Sequence, residues 1–428
     1  MSDAVIADDP RYKKMFDVRL EGLNSGHLIE ADMNGKFGSL RESAPVHPGY
    51  LRDLMGLPDT HHNRYATPKQ GYSVFSFDAC NAAFRDNEVF SSKLYKEMAS
   101  VQATFGGSIL EMGGAEHRRN RATLQPLFLK PKALTWWRER WIDDIVKTLI
   151  ESLRREERAD LNQQFCARLP MQVVTQGIGM DGQDALTFRE ALMTLMGANR
   201  GTPQEKLGAS QIIETLLGDL IARRRAEPGQ DVVSGLVATE LELEDGSTRP
   251  LTDHEIMANC KLIILAGGGT TWRQLGITLW ALLSHPDQLA AVKADRKLVE
   301  PAIEESLRWN PTDPYFSRVS TADTVLDGVA IPANSVVDIC LGAGNRDPRR
   351  WTNPDAYDVH RPAIGHLGFS IGPHQCLGMN VSKAEMMVAI NALFDHFPNV
   401  RRDPDAPEPA LMGHLEGRGM TAVPVLLT

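Results

Sequence analysis

One cysteine lies in a sequence context that makes a reactive sulfur plausible. Cys376 belongs to the segment FSIGPHQCLG (369–378), just before a predicted helix and with glycines on either side. A cysteine near a helix N-terminus, in a loop that can direct backbone N–H groups at the sulfur, is arranged to be a thiolate. The alternative is a buried structural cysteine in a turn. The complete pattern F-x-x-G-x-H-x-C-x-G, which includes Phe369 and His374, favours the thiolate.

The other four cysteines form no metal or disulfide pattern. They lie far apart and contain no C-x-x-C pair, which argues against a zinc ribbon, an iron–sulfur cluster held by this chain and a disulfide framework. We expect them to be inert core residues, and they are Cys80, Cys166, Cys260 and Cys340.

The elements that must position the reactive cysteine are mostly helical. Helical periodicity dominates from about residue 117 to 226 and again over 287–310, and a last helix covers about 377–396. Two segments have strand character: 71–77 alternates like a strand, and 324–342 resembles a β-hairpin. These patterns predict a mainly α-helical fold with small β-sheets.

A long helix in the middle of the chain contains three consecutive glycines, Gly267 to Gly269. Thr252 and Glu255 form a capping box at its start and Pro286 ends it, which gives about 32 residues and a length of roughly 50 Å. Each glycine in a helix interior costs roughly 1 kcal/mol relative to alanine. The run is therefore either a close packing contact or a notch for a bound molecule.

Composition and charge limit the class of protein. The chain has 428 residues, of which 42% are hydrophobic and 24% charged, as in an ordinary globular protein with a large core. The formal charge of -9 argues against nucleic acid as the main partner, because a phosphate-binding surface usually makes a domain basic. The N-terminal residues contain neither a signal-peptide h-region nor a membrane span, so we expect a cytoplasmic protein.

One apparent nucleotide motif does not change this interpretation. GIGMDG (177–182) matches the dinucleotide fingerprint, but its flanks look helical and no βαβ unit follows. No internal repeat or linker-like stretch divides the chain. We therefore predict a single domain over residues 1–428.

Several motifs together resemble those of the cytochrome P450 family, and the resemblance extends over nearly the whole chain. The segment around Cys376 looks like the family's haem-binding loop, and EESLR (304–308) contains its E-x-x-R motif. AEHRRNR (115–121) is similar to its H-x-x-x-R helix, GNRDP (344–348) to its N-R-D-P, and YDVHR ends in the usual third member, Arg361. The ordered set is more specific than any one motif.

The resemblance implies roles for individual residues in binding haem b. Cys376 would be the axial thiolate ligand, which favours O–O cleavage. Basic side chains would bind the haem propionates by charge-assisted hydrogen bonds. Glu305, Arg308 and Arg361 would form a structural network, whose disruption should lose folding or haem. The other residues expected at the haem are His117, Arg121, Arg318, His374, Phe369 and Gly267.

The resemblance also makes the long helix the distal helix, on the other side of the haem from the thiolate. Its AGGGTT segment matches the family pattern of alanine, glycine, any residue, acid, threonine, threonine, except that Gly269 replaces the acid. Thr270 is the expected alcohol, which would hydrogen-bond dioxygen or the water that protonates it. Our hypothesis is that a water chain, admitted by a groove at the first two glycines and oriented by Thr270 and Thr271, delivers protons.

The implied activity is that of a monooxygenase that inserts one oxygen atom from O2 into a small, largely apolar substrate, by hydroxylation or oxidative demethylation. The sequence contains no flavin or iron–sulfur module, so electrons must come from a separate partner, which by resemblance is a ferredoxin with its reductase. Two alternatives stay open. One is a peroxide-using peroxygenase, which is retained because Gly269 replaces the acid. The other is a non-catalytic haem-thiolate ligand-binding protein.

Two groups of side chains are candidate contacts for these partners. An acidic ferredoxin would dock over the cysteine side, where the candidate contacts are Arg118, Arg119, Arg349 and Arg350. The commoner explanation of such arginines is that they are solvated surface residues. By resemblance, the substrate pocket is lined by residues 94–111, 263–266, 312–316 and 411–415. Its apolar candidates are Phe105, Leu110, Leu265 and Phe316.

Overall fold

The computed structural model describes residues 10–18, 32–57, 65, 67–180, 182–196, 201–413, 415 and 417–428. Helices dominate these residues, so the predicted mainly helical fold is confirmed. The α-helices are Pro10–Met15, Met33–Ser43, Leu51–Leu54, Phe77–Arg85, Ala99–Phe105, Gly114–Leu124, Lys130–Lys132, Asp143–Leu153, Arg168–Ile178, Gly182–Met196, Pro203–Ala226, Val232–Val237, Asp253–Ser284, Pro286–Ala294, Val299–Trp309, Leu341–Gly344 and Met379–His396. Segments Ala133–Ile142 and Asn162–Cys166 are π-helical, and 3-10 turns cover Ser92–Glu97, Ile109–Glu111, Gln125–Leu127 and Arg296–Leu298.

The strands are short and form five small sheets in the described part of the chain. The strands are β1 Val46–Pro48, β2 Gly71–Val74, β3 Phe90–Ser91, β4 Arg158–Asp160, β5 Glu240–Glu242, β6 Thr248–Pro250, β7 Phe316–Ser320, β8 Thr324–Leu326, β9 Val329–Ile331, β10 Val336–Ile339, β11 Arg401–Arg402, β12 Leu411–Met412, β13 Gly419–Met420 and β14 Pro424–Leu426. The largest sheet has the order β1-β2-β10-β7-β3, in which β10 and β2 are parallel and the other pairs antiparallel.

Two predicted β segments differ in extent from the structure. β8 and β9 form the predicted hairpin, and their turn has left-handed φ angles of 47° at Asp327 and 81° at Gly328. The predicted hairpin segment also included β10, but this strand lies between β2 and β7 in the largest sheet. All four residues of β10 are buried, so the strand needs a partner on each side. The strand expected over 71–77 ends at Val74, because Ser76 caps the following helix by accepting from Ala79 N at 3.2 Å.

The long helix, Asp253–Ser284, begins and ends as the sequence predicts. Glu255 N donates to Thr252 Oγ1 at 3.2 Å and Thr252 N donates to Glu255 Oε2 at 2.8 Å, which confirms the capping box. Pro286 begins the next helix after His285. Most of the second half of the long helix is buried, so it passes through the core.

The three glycines of the long helix have different neighbours. A Cβ added at Gly268 would lie 2.9 Å from Met171 Cε, and one added at Gly267 would lie 3.2 Å from Val174 Cγ2. Both neighbours belong to helix Arg168–Ile178, which packs against the long helix. The expected groove is therefore filled at Gly268, where the close packing contact is the correct explanation.

Three smaller sequence-based expectations can be compared with the structure. Residues 177 and 178 end a helix, and Gly179 terminates it with φ 104°, so the strand that a nucleotide fingerprint needs is replaced by helix; Asp181 lies outside the described residues. The four cysteines expected in the core are buried. Within the described ranges, every helix is too short or too polar to cross a membrane.

Candidate functional site

The loop before helix Met379–His396, here called the cysteine helix, fixes the position of Cys376. Cys376 N donates to Phe369 O at 2.9 Å, which closes the loop on itself. Gly372 has φ 80°, and a Cβ there would lie 2.5 Å from the carbonyl oxygen of Phe84. The glycine is therefore required by both its backbone conformation and the close approach of helix Phe77–Arg85.

A cavity of about 330 Å³ lies between this loop and the long helix. Cys376 is exposed and lines the cavity. Burial raises the pKa of the Cys376 thiol, whereas the backbone N–H groups of Gly378 and Met379 and the charge of Arg121 lower it. These donors stabilise negative charge on sulfur, so a cation in the cavity would favour the thiolate.

Basic side chains gather at one edge of the cavity. The rings of His117 and His374 stack with centroids 3.8 Å apart and planes inclined by 27°. Arg121 Nη2 donates to Gln375 O at 2.7 Å, and Arg318 Nη1 donates to Ser317 O at 2.8 Å. The four basic residues that the sequence predicted at one site therefore line one cavity. Among the described residues, neither Arg121 nor Arg318 has a carboxylate partner.

The electrostatics of this cluster favour an anionic ligand. Desolvation lowers the pKa of His117 to about 4, and the charges of Arg121 and Arg318 add to the effect. The same causes lower the pKa of His374 to about 2. Nδ1 and Nε2 of His117 and Nε2 of His374 are buried and have no hydrogen-bond partner in the part of the chain that the structure describes. Such groups need a partner, and an anionic ligand would supply one.

The residues present fit a haem. The thiol of Cys376 lines the cavity and would hold the iron, and His117, Arg121, Arg318 and His374 would offer donors to the propionates. Phe369 and Gly267 also line this cavity, as the sequence predicted. No group of three or more His, Cys, Asp or Glu side chains suited to a metal ion is found among the described residues.

The two threonines of the long helix have different partners. Thr270 lines the cavity, and its Oγ1 donates to the carbonyl oxygen of Ala266 at 2.8 Å. Because its proton is engaged, the Thr270 oxygen presents lone pairs to the cavity and can accept a hydrogen bond there. Thr271 also lines the cavity, but its Oγ1 lies 3.1 Å from Ser382 Oγ on the cysteine helix.

Gly269, which stands where the family has an acid, lies away from the cavity wall. Its carbonyl oxygen accepts from Arg273 Nη1 at 2.7 Å, and the carbonyl oxygen of Gly268 accepts from Arg189 Nη1 at 3.2 Å. A Cβ at position 269 would lie 3.5 Å from Arg273 Nη1 and 3.8 Å from Arg189 Nη1. A carboxylate at this position would therefore contact two guanidinium groups.

Glu305, Arg308 and Arg361 form the network expected from their motifs. Arg308 Nε and Nη2 each donate to the Glu305 carboxylate at 2.8 Å, and Arg361 Nε donates to the same carboxylate at 3.0 and 3.1 Å. Arg308 also donates to the carbonyl oxygens of Asn345 and Pro354. The network joins helix Val299–Trp309 to the long loop that leads to Cys376.

The four apolar pocket candidates divide into two pairs. Leu110 and Phe316 line the cavity. Phe105 and Leu265 are not among its lining residues and instead pack in an adjacent apolar cluster with Met98. In the expected tail segment, His414 lies outside the described residues, and the neighbouring described residues do not line the cavity.

The arginines proposed as partner contacts are mostly engaged with the chain itself. Arg119 pairs with Glu244 at 2.9 Å, and Arg349 pairs with Asp347 at 2.7 Å. Arg350 donates to Gly365 O at 2.7 Å and lies 3.8 Å from the centroid of the Phe77 ring. Arg118 lies near enough to help lower the pKa of His117.

Sequence reasoning missed two polar residues of the cysteine helix that line the cavity, Ser382 and Glu385. Both follow Cys376 by less than three helical turns, and their spacing of three residues places them on one helix face. This spacing is the signal that was available. It did not identify which neighbour that face contacts.

A family model and individual relatives both match this chain. The family model described as Cytochrome P450 matches residues 199–424. The chain is 31% identical over 393 residues to Cytochrome P450 105C1 of a Streptomyces species, covering 91% of this chain and 97% of that protein. It is also 31% identical over 413 residues to 6-deoxyerythronolide B hydroxylase of Saccharopolyspora erythraea, covering 93% and 97%.

A solved structure shows the same arrangement of elements. The cytochrome P450 PksS of the bacillaene polyketide synthase from Bacillus subtilis 168 superposes with a TM-score of 0.79 at 24% identity. The superposition covers 93% of this chain and 97% of the other. At this identity the likeness establishes a shared fold and leaves the substrate open.

Proposed function

Since this chain belongs to the cytochrome P450 family of haem-thiolate monooxygenases, we propose that it inserts one oxygen atom from O2 into a small, largely apolar organic substrate. The cofactor in this proposal is haem b. The observation that carries it is one cavity lined by a thiol, by a hydroxyl whose oxygen is free to accept, and by four basic groups at its edge.

Each of these groups has a distinct proposed role. Cys376 would hold the iron, and His117, Arg121, Arg318 and His374 would bind the propionates and so fix the position of the cofactor. When bound, the haem supplies the redox chemistry, and its thiolate ligand favours cleavage of the O–O bond. Thr270 would orient the hydrogen bonds of water and oxygen in the cavity, and Thr271 would contribute to proton supply.

Substrate recognition is proposed to be apolar. Leu110 and Phe316 line the cavity directly, while Phe105 and Leu265 support it from the adjacent cluster. Asn259 is a polar group of the same lining, but its side-chain oxygen already accepts from Ile109 N at 3.3 Å. Hydroxylation and oxidative demethylation both suit such a pocket, because neither needs a charged group to bind the substrate.

Electrons are proposed to come from a separate ferredoxin and its reductase. The partner would approach the cysteine side of the molecule, with Arg118, Arg119, Arg349 and Arg350 as candidate contacts. Because Arg119 and Arg349 already form ion pairs with carboxylates of this chain, docking would have to exchange those pairs for the ferredoxin's acidic groups. We therefore expect these arginines to affect the salt dependence of association more than its strength.

Peroxygenase activity is the second candidate, and the observation that favours it is glycine at position 269 in place of an acid. Hydrogen peroxide brings its own protons and electrons, so an enzyme that uses it needs no acid at this position. The position of Thr270 on the cavity wall favours the monooxygenase, since that hydroxyl serves proton supply during O2 reduction.

The deciding experiment compares two oxidant systems on the same holoenzyme: O2 with an electron-transfer chain, and hydrogen peroxide. Substrates would first be found by spectral titration of a compound library, following displacement of the iron-bound water. Product would then be measured with ferredoxin, reductase, NAD(P)H and O2, and separately with hydrogen peroxide. The monooxygenase is supported if the electron-transfer system gives the faster turnover. Product with peroxide alone would favour the peroxygenase, and carbon monoxide binding without product from either source would favour a ligand-binding protein.

A further inference from the structure

A carboxylate on the wall of the cavity has no role in the chemistry described so far. Asp313 lines the cavity together with Phe316, which follows it in the same segment. Much of the remaining wall is apolar and includes Leu110 and Ile263. In ligand pockets, a few precisely placed polar groups on an apolar wall fix the orientation of the ligand and supply specificity. Asp313 is such a group in this cavity.

The two acids that line the cavity among the described residues, Asp313 and Glu385, differ in charge. Burial raises the pKa of Glu385 well above its ordinary value, which keeps that side chain neutral at pH 7. The charge of Asp313 acts on other groups of the site. It opposes the desolvation that lowers the pKa of Arg273 to about 10, and it adds to the burial that raises the pKa of Cys376. Apart from the thiolate, the negative charge on this wall therefore comes from Asp313.

Hydrogen bonds from remote parts of the chain hold Asp313 in place. Gly417 N donates to Asp313 Oδ1 at 2.7 Å. The next residue of the segment is held too, because Gly342 N donates to Pro314 O at 2.9 Å. The carboxylate is therefore positioned before a ligand arrives, which lowers the entropy cost of binding to it.

The residue before Asp313 is anchored to the long helix through Gln274. This glutamine is 3% exposed and lines the cavity. Its Oε1 accepts from Thr312 N at 3.1 Å and from Thr312 Oγ1 at 3.2 Å, and its Nε2 donates to Ser306 Oγ at 3.1 Å. Thr312 O accepts from Arg418 N at 2.7 Å. Because these bonds fix the backbone of Thr312 on both of its polar groups, they also restrict the conformations of Asp313.

We propose that the substrate is a largely apolar molecule that carries a basic amine, and that its ammonium group pairs with the Asp313 carboxylate. This inference rests on the proposed monooxygenase function and names the substrate class of the same site. A carboxylate has about four acceptor positions, so Asp313 can accept from Gly417 and from a ligand N–H group at the same time. The charged pair fixes one end of the substrate while the apolar wall holds the remainder, which gives one orientation for oxidation.

The same carboxylate discriminates between substrates by their charge. An alcohol can donate a hydrogen bond to Asp313, but it lacks the attraction between opposite charges. An anionic ligand is repelled by Asp313, and in the holoenzyme the basic groups at the edge of the cavity would be engaged by the propionates. The expected order of affinity is therefore amine, then alcohol, then carboxylate.

The test is a spectral titration of the ferric holoenzyme with compounds that share one rigid apolar body: adamantylamine, adamantanol and adamantane carboxylate. The wild type should bind the amine at least about 10-fold more tightly than the alcohol, because hydrogen bonds between charged partners are the stronger ones. Adamantyltrimethylammonium is added as a fourth probe. Its nitrogen has no lone pair, so its binding reports recognition of charge without ligation of iron.

The variant to compare is Asp313→Asn, which keeps an oxygen that can accept from Gly417 N and removes the charge. It should lose the preference for both cationic probes while its affinity for adamantanol changes little. Asp245→Asn removes the same charge from an exposed loop and should leave all affinities unchanged. The spectrum of the reduced carbon monoxide complex checks that each variant holds haem as the wild type does.

Every outcome bears on the proposal. Equal affinity of wild type and Asp313→Asn for the amine, including no measurable binding to either protein, would overturn it. An equal loss of affinity for all probes in Asp313→Asn would indicate a structural role and would also overturn it.

Binding and turnover together separate this inference from the proposed function. Selective loss of the cationic probes in Asp313→Asn, with no product from either oxidant system in the wild type, would support the recognition of amines while the proposed function fails. Product from neutral substrates, with no preference for amines in the wild type, would overturn the substrate class and leave the monooxygenase standing.

Discussion

The imidazole rings of His117 and His374 stack at 3.8 Å, and three of their four nitrogens are buried without a hydrogen-bond partner in the described structure. The two residues come from helix Gly114–Leu124 and from the loop before Cys376, which are far apart in the chain. Stacking two bases beside Arg121 and Arg318 is unfavourable unless an anion joins them. The stacked pair is therefore best explained as part of a binding site for the anionic groups of a cofactor.

Haem binding should be linked to proton uptake at His117. Burial and the neighbouring arginines lower the pKa of His117 to about 4, so the ring is neutral at pH 7. A propionate beside it favours the charged ring and raises the pKa, so binding takes up as much as about one proton there. Calorimetry of haem binding in buffers of different ionisation enthalpy should show less uptake for His117→Gln than for wild type. Equal proton counts for the two proteins would contradict this assignment.

Disrupting the Glu305 network should destabilise the whole fold. Glu305 and Arg308 are almost completely buried, so Glu305→Ala or Arg308→Ala leaves an uncompensated charge and should cost about 3–5 kcal/mol of unfolding free energy, with loss of haem. The exposed pair of Arg138 and Asp143 is the matched control, and Arg138→Ala should cost no more than about 1 kcal/mol. Denaturant titration measures both. A small effect at Glu305 would show that the ion pair is dispensable.

Thr270 should control coupling through its hydroxyl oxygen. Thr270→Ala removes the acceptor that the bond to Ala266 O directs at the cavity, and we expect product per NAD(P)H to fall by about 10-fold or more. Thr270→Ser keeps the hydroxyl and should retain most of the coupling. Substrate affinity, measured by the spectral shift on titration, should change little in either variant. We would abandon this role if Thr270→Ala left the yield unchanged.

Restoring an acid at position 269 should be tolerated by the helix. The side chain of Gly269→Glu would lie beside the guanidinium groups of Arg273 and Arg189, and replacing a mid-helix glycine gains up to about 1 kcal/mol of helix propensity. We expect a melting temperature no lower than that of wild type and a change in coupling larger than the change in substrate affinity. Gly269→Gln is the uncharged control.

The neighbouring position should respond in the opposite way. A Cβ at Gly268 would meet Met171 Cε at 2.9 Å, so Gly268→Glu should lower the melting temperature because it overpacks the contact between two helices. Equal tolerance at positions 268 and 269 would contradict the packing explanation of the glycine run.

Stability at acid pH should depend on the cap of the long helix. A side-chain hydrogen bond from Arg249, together with bonds from Thr252, lowers the pKa of Glu255 to about 2. A lowered folded-state pKa stabilises the protein above the ordinary value near 4.5, and this contribution is lost as the pH falls towards 2. Glu255→Gln should therefore be less stable than wild type by about 1 kcal/mol at pH 7, and the difference should shrink below pH 4.5. A constant difference at every pH would argue against the shifted carboxylate.

Much of the fold and of the site was predictable from local sequence. The capping box at Thr252 and Glu255 and the proline at 286 set the ends of the long helix, because caps and breakers act within a few residues. The loop around Cys376 and the pairing of Glu305 with Arg308 were predictable for the same reason: each motif places its functional atoms within one turn or one loop. These features need no knowledge of distant parts of the chain.

The tertiary structure decided what each local feature faces. Gly268 proved to be a contact with Met171, Phe105 and Leu265 lie beside the cavity rather than on its wall, and Thr271 contacts Ser382 of the cysteine helix. In each case the neighbour comes from an element remote in sequence, and its identity depends on helix packing that residue spacing does not encode. The sequence alone therefore determined which residues could bind a haem, while the packing of helices decided which side chains line the cavity around it.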